Sequence, residues 1–252
     1  MFNQFKKPAI YIPGDNEWTD CHRTNNGGYD NLERLAYVRK TMFAALGSLG
    51  QTKMPLEHQG KLGDKFVENT RFVQKGVVFV GLNVPGSNNN KVNDTKSCTT
   101  KSARTQAQCD ADNEEYAERN AANITWMHRA FEKAKAQGAK AVMIVIQADV
   151  GFDIPETENV DESRTEGYNG YANFLDAITE ETKAFPGQVA LVHGDTHFFK
   201  IDKPLIDATH LLANFTRVET FGSPNVHWLR VTVDPASRDV FTFHPMIVDA
   251  NK

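Results

Sequence analysis

Three stretches of the chain are almost entirely apolar and stop abruptly at polar side chains: GVVFVGLNV (76–84), AVMIVIQAD (141–149) and QVALVHGDTH (188–197). Runs of this length and composition predict strands buried on both faces. A shorter run, Ile10, Tyr11 and Ile12, predicts an opening strand that breaks at Pro13-Gly14. Between these runs apolar residues recur at helical spacing. Leu32, Leu35, Ala36, Phe43 and Leu46 predict a helix ending at Gly47, and Ile124, Met127, Phe131 and Ala134 predict a longer one ending at Gly138. Tyr171, Phe174, Leu175 and Ile178 predict a third, broken by Pro186-Gly187. From Thr216 the pattern becomes alternating, through RVETFG, NVHWLRVTVDP and DVFTFHPMIV, which predicts a C-terminal antiparallel hairpin or meander. Helix and strand thus take turns, the rhythm of an α/β fold with mixed sheets packed as layers. Residues 50–70 show no clear period, and the hydrophilic stretch 91–112 reads as a surface excursion or flap on a single domain spanning 1–252.

Composition narrows the function. A chain of 252 residues buries an ample core without a disulfide staple. Lys plus Arg number 28 against 32 Asp plus Glu, a net charge of −4, so bulk charge offers nothing to nucleic acid. No apolar run approaches the roughly 18 residues of a membrane span, and MFNQFKKPAIYIPG lacks the apolar core of a signal peptide. Of the three cysteines, Cys98 and Cys109 bracket the polar stretch TTKSARTQAQ. They form either a disulfide, which argues for an oxidising compartment, or two free thiols, and both readings stay open.

Chemistry concentrates where the apolar runs end. IYIP-GDNE, FVGLNVPGSNNN, MIVIQAD and LVHGDTH all pass from predicted strand into carboxylates, amides and imidazoles. In α/β sheets the carboxyl ends of strands are where loops converge and ligands bind. Such groups suit a divalent cation. Each loop also has a plain reading: Pro-Gly-Asp-Asn is good turn chemistry, Asp15 is a helix-cap candidate, and Ser87 to Asn90 suit left-handed backbone.

Two of these blocks carry a resemblance. GDNE at 14–17 resembles the Gly-Asn-His-Glu/Asp block of the calcineurin-like metallophosphoesterases, and GDTH at 194–197 resembles their Gly-His-x-His block. The intervening ITWMHRAFEKAKAQGAKAVMIVIQ is similar to the family's helix, Gly, apolar strand and His passage, with Gln147 at the histidine's place. The wording of GDNEWTDCHR, GSNNN and HGDTHFFKIDKPL is similar to a secreted or periplasmic bacterial branch, over roughly residues 8–245. The resemblance implies a layered α/β/β/α-type sandwich and a metal-dependent phosphoester hydrolase. It puts Asp15, Gln147, Asp195 and His197 in metal-ligand positions and Asn16 where the family has a histidine that assists the leaving group. The family's first-strand Asp and His and its bridging Asp belong upstream of Gly14, so the chain is expected to be N-terminally truncated relative to the family.

Phosphoester hydrolysis needs an activated water and positive charge on the phosphoryl oxygens. The implied ligands are oxygen-rich, which favours Mn, Mg or Ca over Zn or Fe, with Mn first. Asn16 cannot donate a proton, so His193 and His22 are the substitutes. The substrate is then a small phosphoester, and the compartment extracellular or periplasmic. The alternative is a catalytically degenerate family member that binds a ligand or assembles with itself. On that reading a missing first strand leaves an open sheet edge that must be covered or paired, so a homo-oligomer follows.

Overall fold

The computed structural model describes residues 2–152, 165–207 and 210–251. Its centre is a parallel block of four strands: β3 (Val77–Gly81), β4 (Ala141–Val145), β5 (Gln188–His193) and β9 (Phe215–Glu219). On one side β2 (Thr70–Gln74) joins β3 antiparallel and carries the two-residue edge β1 (Glu57–His58). On the other side β6 (Lys200–Asp202) joins β9 antiparallel, which gives seven strands in the order β1-β2-β3-β4-β5-β9-β6. Two small antiparallel pairs stand apart, β7 (Ile206–Asp207) with β8 (His210–Leu211) and β10 (Trp228–Val233) with β11 (Phe241–Met246). The architecture is mixed α/β.

The period of two along each strand sorts the central side chains onto two faces. Val78, Val80, Val142, Ile144, Val189 and Leu191 meet the helices α4 (Gln106–Ala136) and α5 (Ala172–Ala184) through Met127, Phe131, Phe174 and Ile178. Val77, Ala141, Met143 and Ala190 meet the β10–β11 hairpin through Val231, Val233, Phe241 and Phe243. Both faces are therefore covered near the centre, which is why these strands read as unbroken apolar runs.

Several elements depart from the sequence expectation. Ile10 to Ile12 form no strand; the segment runs as coil beyond an isolated bridge between Ala9 and Leu49, and Ile12 packs where only Gly81 leaves room, since a β-carbon there would lie 2.3 Å from Ile12 Cδ1. Helix α1 (Asn31–Met42) ends before the apolar spacing does, and Leu46 is exposed. The Thr216 stretch enters the main sheet as parallel β9, and only the last two alternating runs form the expected hairpin. Residues 91–112 hold the short helix α3 (Thr95–Thr99) and the first turns of α4, and Cys98 and Cys109 are both buried and disulfide-bonded.

Helix α4 is far longer than its apolar spacing indicates. As far as Asn123 its buried residues are Cys109, Asp112, Arg119, Asn120 and Asn123, so the inner face of that part is polar. Arg119 is completely buried. It donates to Glu115 Oε1 (2.6 Å) and Oε2 (3.1 Å), to the Asn83 carbonyl (3.0 Å), and to Asn89 at both Oδ1 (2.6 Å) and the carbonyl (2.8 Å), while its guanidinium sits 5.0 Å over the Trp18 ring. A buried guanidinium is tolerated only when its donors are matched in this way.

What Arg119 holds is the turn α2 (Gly86–Asn89). Ser87, Asn88, Asn89 and the following Asn90 all have positive φ, between 54° and 66°, so the turn has the opposite hand to an ordinary helix. Each such residue costs roughly 1–2 kcal/mol, least for asparagine. Tyr171 compensates by accepting from the Asn89 amide (3.1 Å) and donating to the Pro85 carbonyl (2.9 Å). Gly170 donates to Asn88 Oδ1 (2.8 Å), and a β-carbon on Gly170 would lie 2.2 Å from the Asn88 carbonyl oxygen. Replacing Arg119 with Met is expected to lower unfolding stability in urea by about 3–5 kcal/mol, because Glu115 and Asn89 lose their buried partner. The double variant Arg119→Met, Glu115→Leu should recover part of that loss.

Candidate functional site

Parallel strands end on the same side, so the segments leaving β3, β4 and β5 converge. Backbone bonds lock them together: Leu82 N to Val145 O (3.0 Å), Ala148 N to Val84 O (3.0 Å) and Gly194 N to Gln147 O (3.0 Å). The loop after Pro13-Gly14 reaches the same edge and makes a single 3₁₀ turn over Asp15–Glu17, its Gly14 amide donating to Glu17 (2.8 Å).

Gln147 is the clasp between these pieces. Its Oε1 accepts from the backbone amides of Gly86 (2.5 Å) and Asp15 (3.2 Å), and its Nε2 donates to Asp195 Oδ1 (3.3 Å). Two N–H donors on one oxygen fix which end of the amide faces which way. Asp195, whose φ of 83° lies in the left-handed region, also accepts from the Asp149 amide (3.1 Å) at Oδ2. Asn16, exposed, donates its amide to Asp15 Oδ1 (2.8 Å). The two carboxylates face one another across Gly86: a β-carbon there would lie 2.9 Å from Asp15 Oδ2 and 2.9 Å from Asp195 Oδ1. The missing side chain leaves room between them that any other residue would fill.

Burial pushes the Asp195 carboxyl up to about 6, and the charge of Asp15 pushes in the same direction. The bonds from Asp149 and Gln147 oppose this without cancelling it. Asp20, next along the loop, is also raised, by burial first, with the Ser87 hydroxyl and Arg23 pulling it back.

The remaining predicted residues lie differently. His197 is exposed; its Nδ1 lies 2.7 Å from the Ser223 carbonyl, so it carries the proton there, and the ring rests on Gly222. His193 is buried with Nδ1 on the Gly194 carbonyl (2.9 Å) and Nε2 without a partner among the described residues, and burial lowers its pKa. His22 is buried too, and burial followed by the charges of Arg104 and Arg23 brings its pKa down to about 4. An imidazole neutral at pH 7 is a weaker proton donor than an imidazolium, which counts against His22 as general acid. Asp15, Gln147 and Asp195 are thus brought together, and His197 is not joined to them. Among the described residues no group of three or more His, Cys, Asp or Glu side chains gathers as a metal cage. Gly86 and Asp149 lie within the PGSNNN and MIVIQAD exits that sequence reasoning placed at this edge, but it gave neither a role of its own.

A scan against protein-family models finds no match, and a search of curated proteins finds no significant one. No helix among the described residues is long and apolar enough to cross a membrane.

Because the folded-state pKa of Asp195 lies above its ordinary value of 3.8, its contribution to stability is complete at low pH and is lost as pH rises through about 6. Asp195→Asn should therefore melt higher than the parent at pH 7.5 in EDTA, by the equivalent of about 1–2 kcal/mol. The gap should close by about pH 4, as followed by thermal denaturation across that range.

Proposed function

We propose that this chain is a phosphoester hydrolase of the calcineurin-like metallophosphoesterase type, working with a hard divalent cation held between Asp15 and Asp195. The observation that carries this reading is the pairing of those two carboxylates across Gly86 at the carboxyl edge of a parallel sheet. The donor set fits Mg or Mn better than Zn. Two carboxylates with water and substrate oxygens completing the shell are a common Mg arrangement, whereas Zn sites, structural or catalytic, are built mainly on nitrogen and sulfur ligands. Gln147 is not a third ligand, since its oxygen already accepts from two backbone amides.

When bound, such a cation supplies positive charge against the phosphoryl oxygens and makes a bound water more acidic. The chain's own groups do the rest. Gln147 and the Asp149 amide hold Asp195 in place, and Asn16 does the same for Asp15. Burial and the neighbouring guanidinium charges bring His22 down to about 4, so at pH 7 it is uncharged and only a weak base. The helix, sheet and hairpin layers are compatible with the family's sandwich, with the β10–β11 hairpin as its second β layer. The Cys98–Cys109 disulfide supports a secreted or periplasmic setting.

One observation favours a second reading, a family member that binds without turnover: His197 stands on Gly222 and adds no ligand to the carboxylate pair. The test is calorimetric titration of EDTA-stripped protein with MnCl₂, followed by assay on p-nitrophenyl phosphate. Binding and hydrolysis should both fall at least tenfold in Asp15→Asn and in Gly86→Ala. Hydrolysis that both variants retain would overturn the site, and Mn binding without hydrolysis would establish the second reading.

A further inference from the structure

Beside the carboxylate pair lies a cavity of about 540 Å³ of different character. Thr19 and Ser87 line it; Thr19 Oγ1 lies 3.4 Å from the Asp15 carbonyl oxygen, and Ser87 follows Gly86 directly, so cavity and carboxylates share a wall. Five cationic side chains surround it, Arg23, Lys91, Lys96, Lys101 and Arg104, against Asp94 and Glu166. The Asp94 carboxylate is engaged as the cap of α3, accepting the Ser97 amide (2.7 Å). Arg23 and Arg104 are each paired with a carboxylate, Asp20 and Asp112, so the excess of positive charge in this chain of net charge −4 rests on the three lysines.

The cations differ in what holds them. Arg104 is fixed by Asp112 (2.7 Å) and by the carbonyls of Cys98 (3.1 Å) and Ser97 (3.2 Å), and Arg23 is fixed by Asp20 (2.5 Å) and Ser87 (3.0 Å). Lys96 and Lys101 are exposed and make no carboxylate contact within 4 Å among the described residues, although the charge of Lys96 also acts on Asp94. The ring of His22, buried and with Nδ1 lacking a partner among the described residues, also lines the cavity. The wall carrying the lysines is not loose: the Cys98–Cys109 disulfide ties α3 to α4, and the Thr24 amide donates to the Lys101 carbonyl (2.9 Å). Apart from Val92, Gly167, the His22 ring and the charged groups, the lining among the described residues is hydroxyl and amide side chains, with no phenyl, phenol or indole ring. Most small-molecule pockets are predominantly apolar and aromatic, so a lining of this kind selects a polar, hydrogen-bonding ligand.

We infer that the cavity binds the anionic group of a phosphorylated sugar or polyol, with Lys96 and Lys101 as its charge contacts and the neighbouring hydroxyls and amides as its contacts to the ligand's hydroxyls. That the ligand is the hydrolase's substrate, presenting a second phosphoester to Asp15 and Asp195, rests on the proposed function; the binding itself does not.

The test is calorimetry on the full chain in EDTA, which leaves the carboxylate pair without a cation, using glucose 6-phosphate, glucose and ADP as probes. Glucose 6-phosphate should bind, glucose should not, and Lys96→Gln with Lys101→Gln should weaken glucose 6-phosphate at least fivefold without changing the melting temperature. Unchanged affinity in that double variant, or no binding of glucose 6-phosphate to the parent, overturns the site. ADP binding more tightly than glucose 6-phosphate overturns the sugar assignment. Because no turnover is measured, a failure of the hydrolase reading leaves this result standing, and the reverse also holds.

Discussion

Burial of the Arg119 guanidinium is the constraint from which the rest of the molecule follows. A cation removed from water must be matched donor by donor, and here the matching groups come from the exit of β3, the turn α2 and α4 itself, with the Trp18 ring beneath. One side chain therefore sets the relative positions of three segments that have little apolar surface of their own. The polar layer extends outward from it. Asn83 bonds Glu68 (3.0 Å), Glu68 bonds Arg39 on α1, and Asn123 bonds both Asn69 (2.6 Å) and the Asn83 carbonyl (2.8 Å). Dense polar networks rigidify what they bridge, and this one, with only Asn83 Oδ1 of the groups just named left without a partner among the described residues, spans the segments that flank four successive left-handed residues.

The turn in its place determines the site. Gly86 opens α2, and its amide and its bare α-carbon are what Gln147, Asp15 and Asp195 meet. The arrangement works against stability: two acids are held close, one of them well above its ordinary pKa, and the backbone at Asp195 is left-handed. Strain and like-charge proximity that the surroundings over-determine are found where a protein has use for them. The buried neutral histidines nearby show the same environment acting on bases, lowering where it raises the acids.

Net charge conceals how this edge is organised. A negative point at Asp15 and Asp195 adjoins a positive cavity rimmed by Lys96 and Lys101, and the Arg23–Asp20–Ser87 contacts stand between the two. Opposite fields a few residues apart suit a ligand that carries anionic and hydroxyl groups and a counter-cation, a selectivity that bulk composition cannot express.

What the sequence by itself determined was wherever burial is apolar and local. Strands β3, β4 and β5, helix α5 and the terminal hairpin were legible because hydrophobic side chains mark both their period and their ends. The meeting of Gln147 and Asp195 was legible from the rule that parallel strands deliver their exits to one edge, whereas Asp15 reaches that edge from a coil segment that the pattern read as a strand. Tertiary structure alone decided the rest. The part of α4 as far as Asn123 hides a face of Cys109, Asp112, Arg119, Asn120 and Asn123, which apolar periodicity does not register. β9 paired in parallel because β5 offered an open edge, a matter of partners that no local pattern records. His197 was drawn to the Ser223 carbonyl and not to the carboxylates, since the direction of a side chain on a loop depends on a backbone at φ 71° and on the space above Gly222. Local patterns encode which residues leave water; only the packed chain decides which polar groups then find one another.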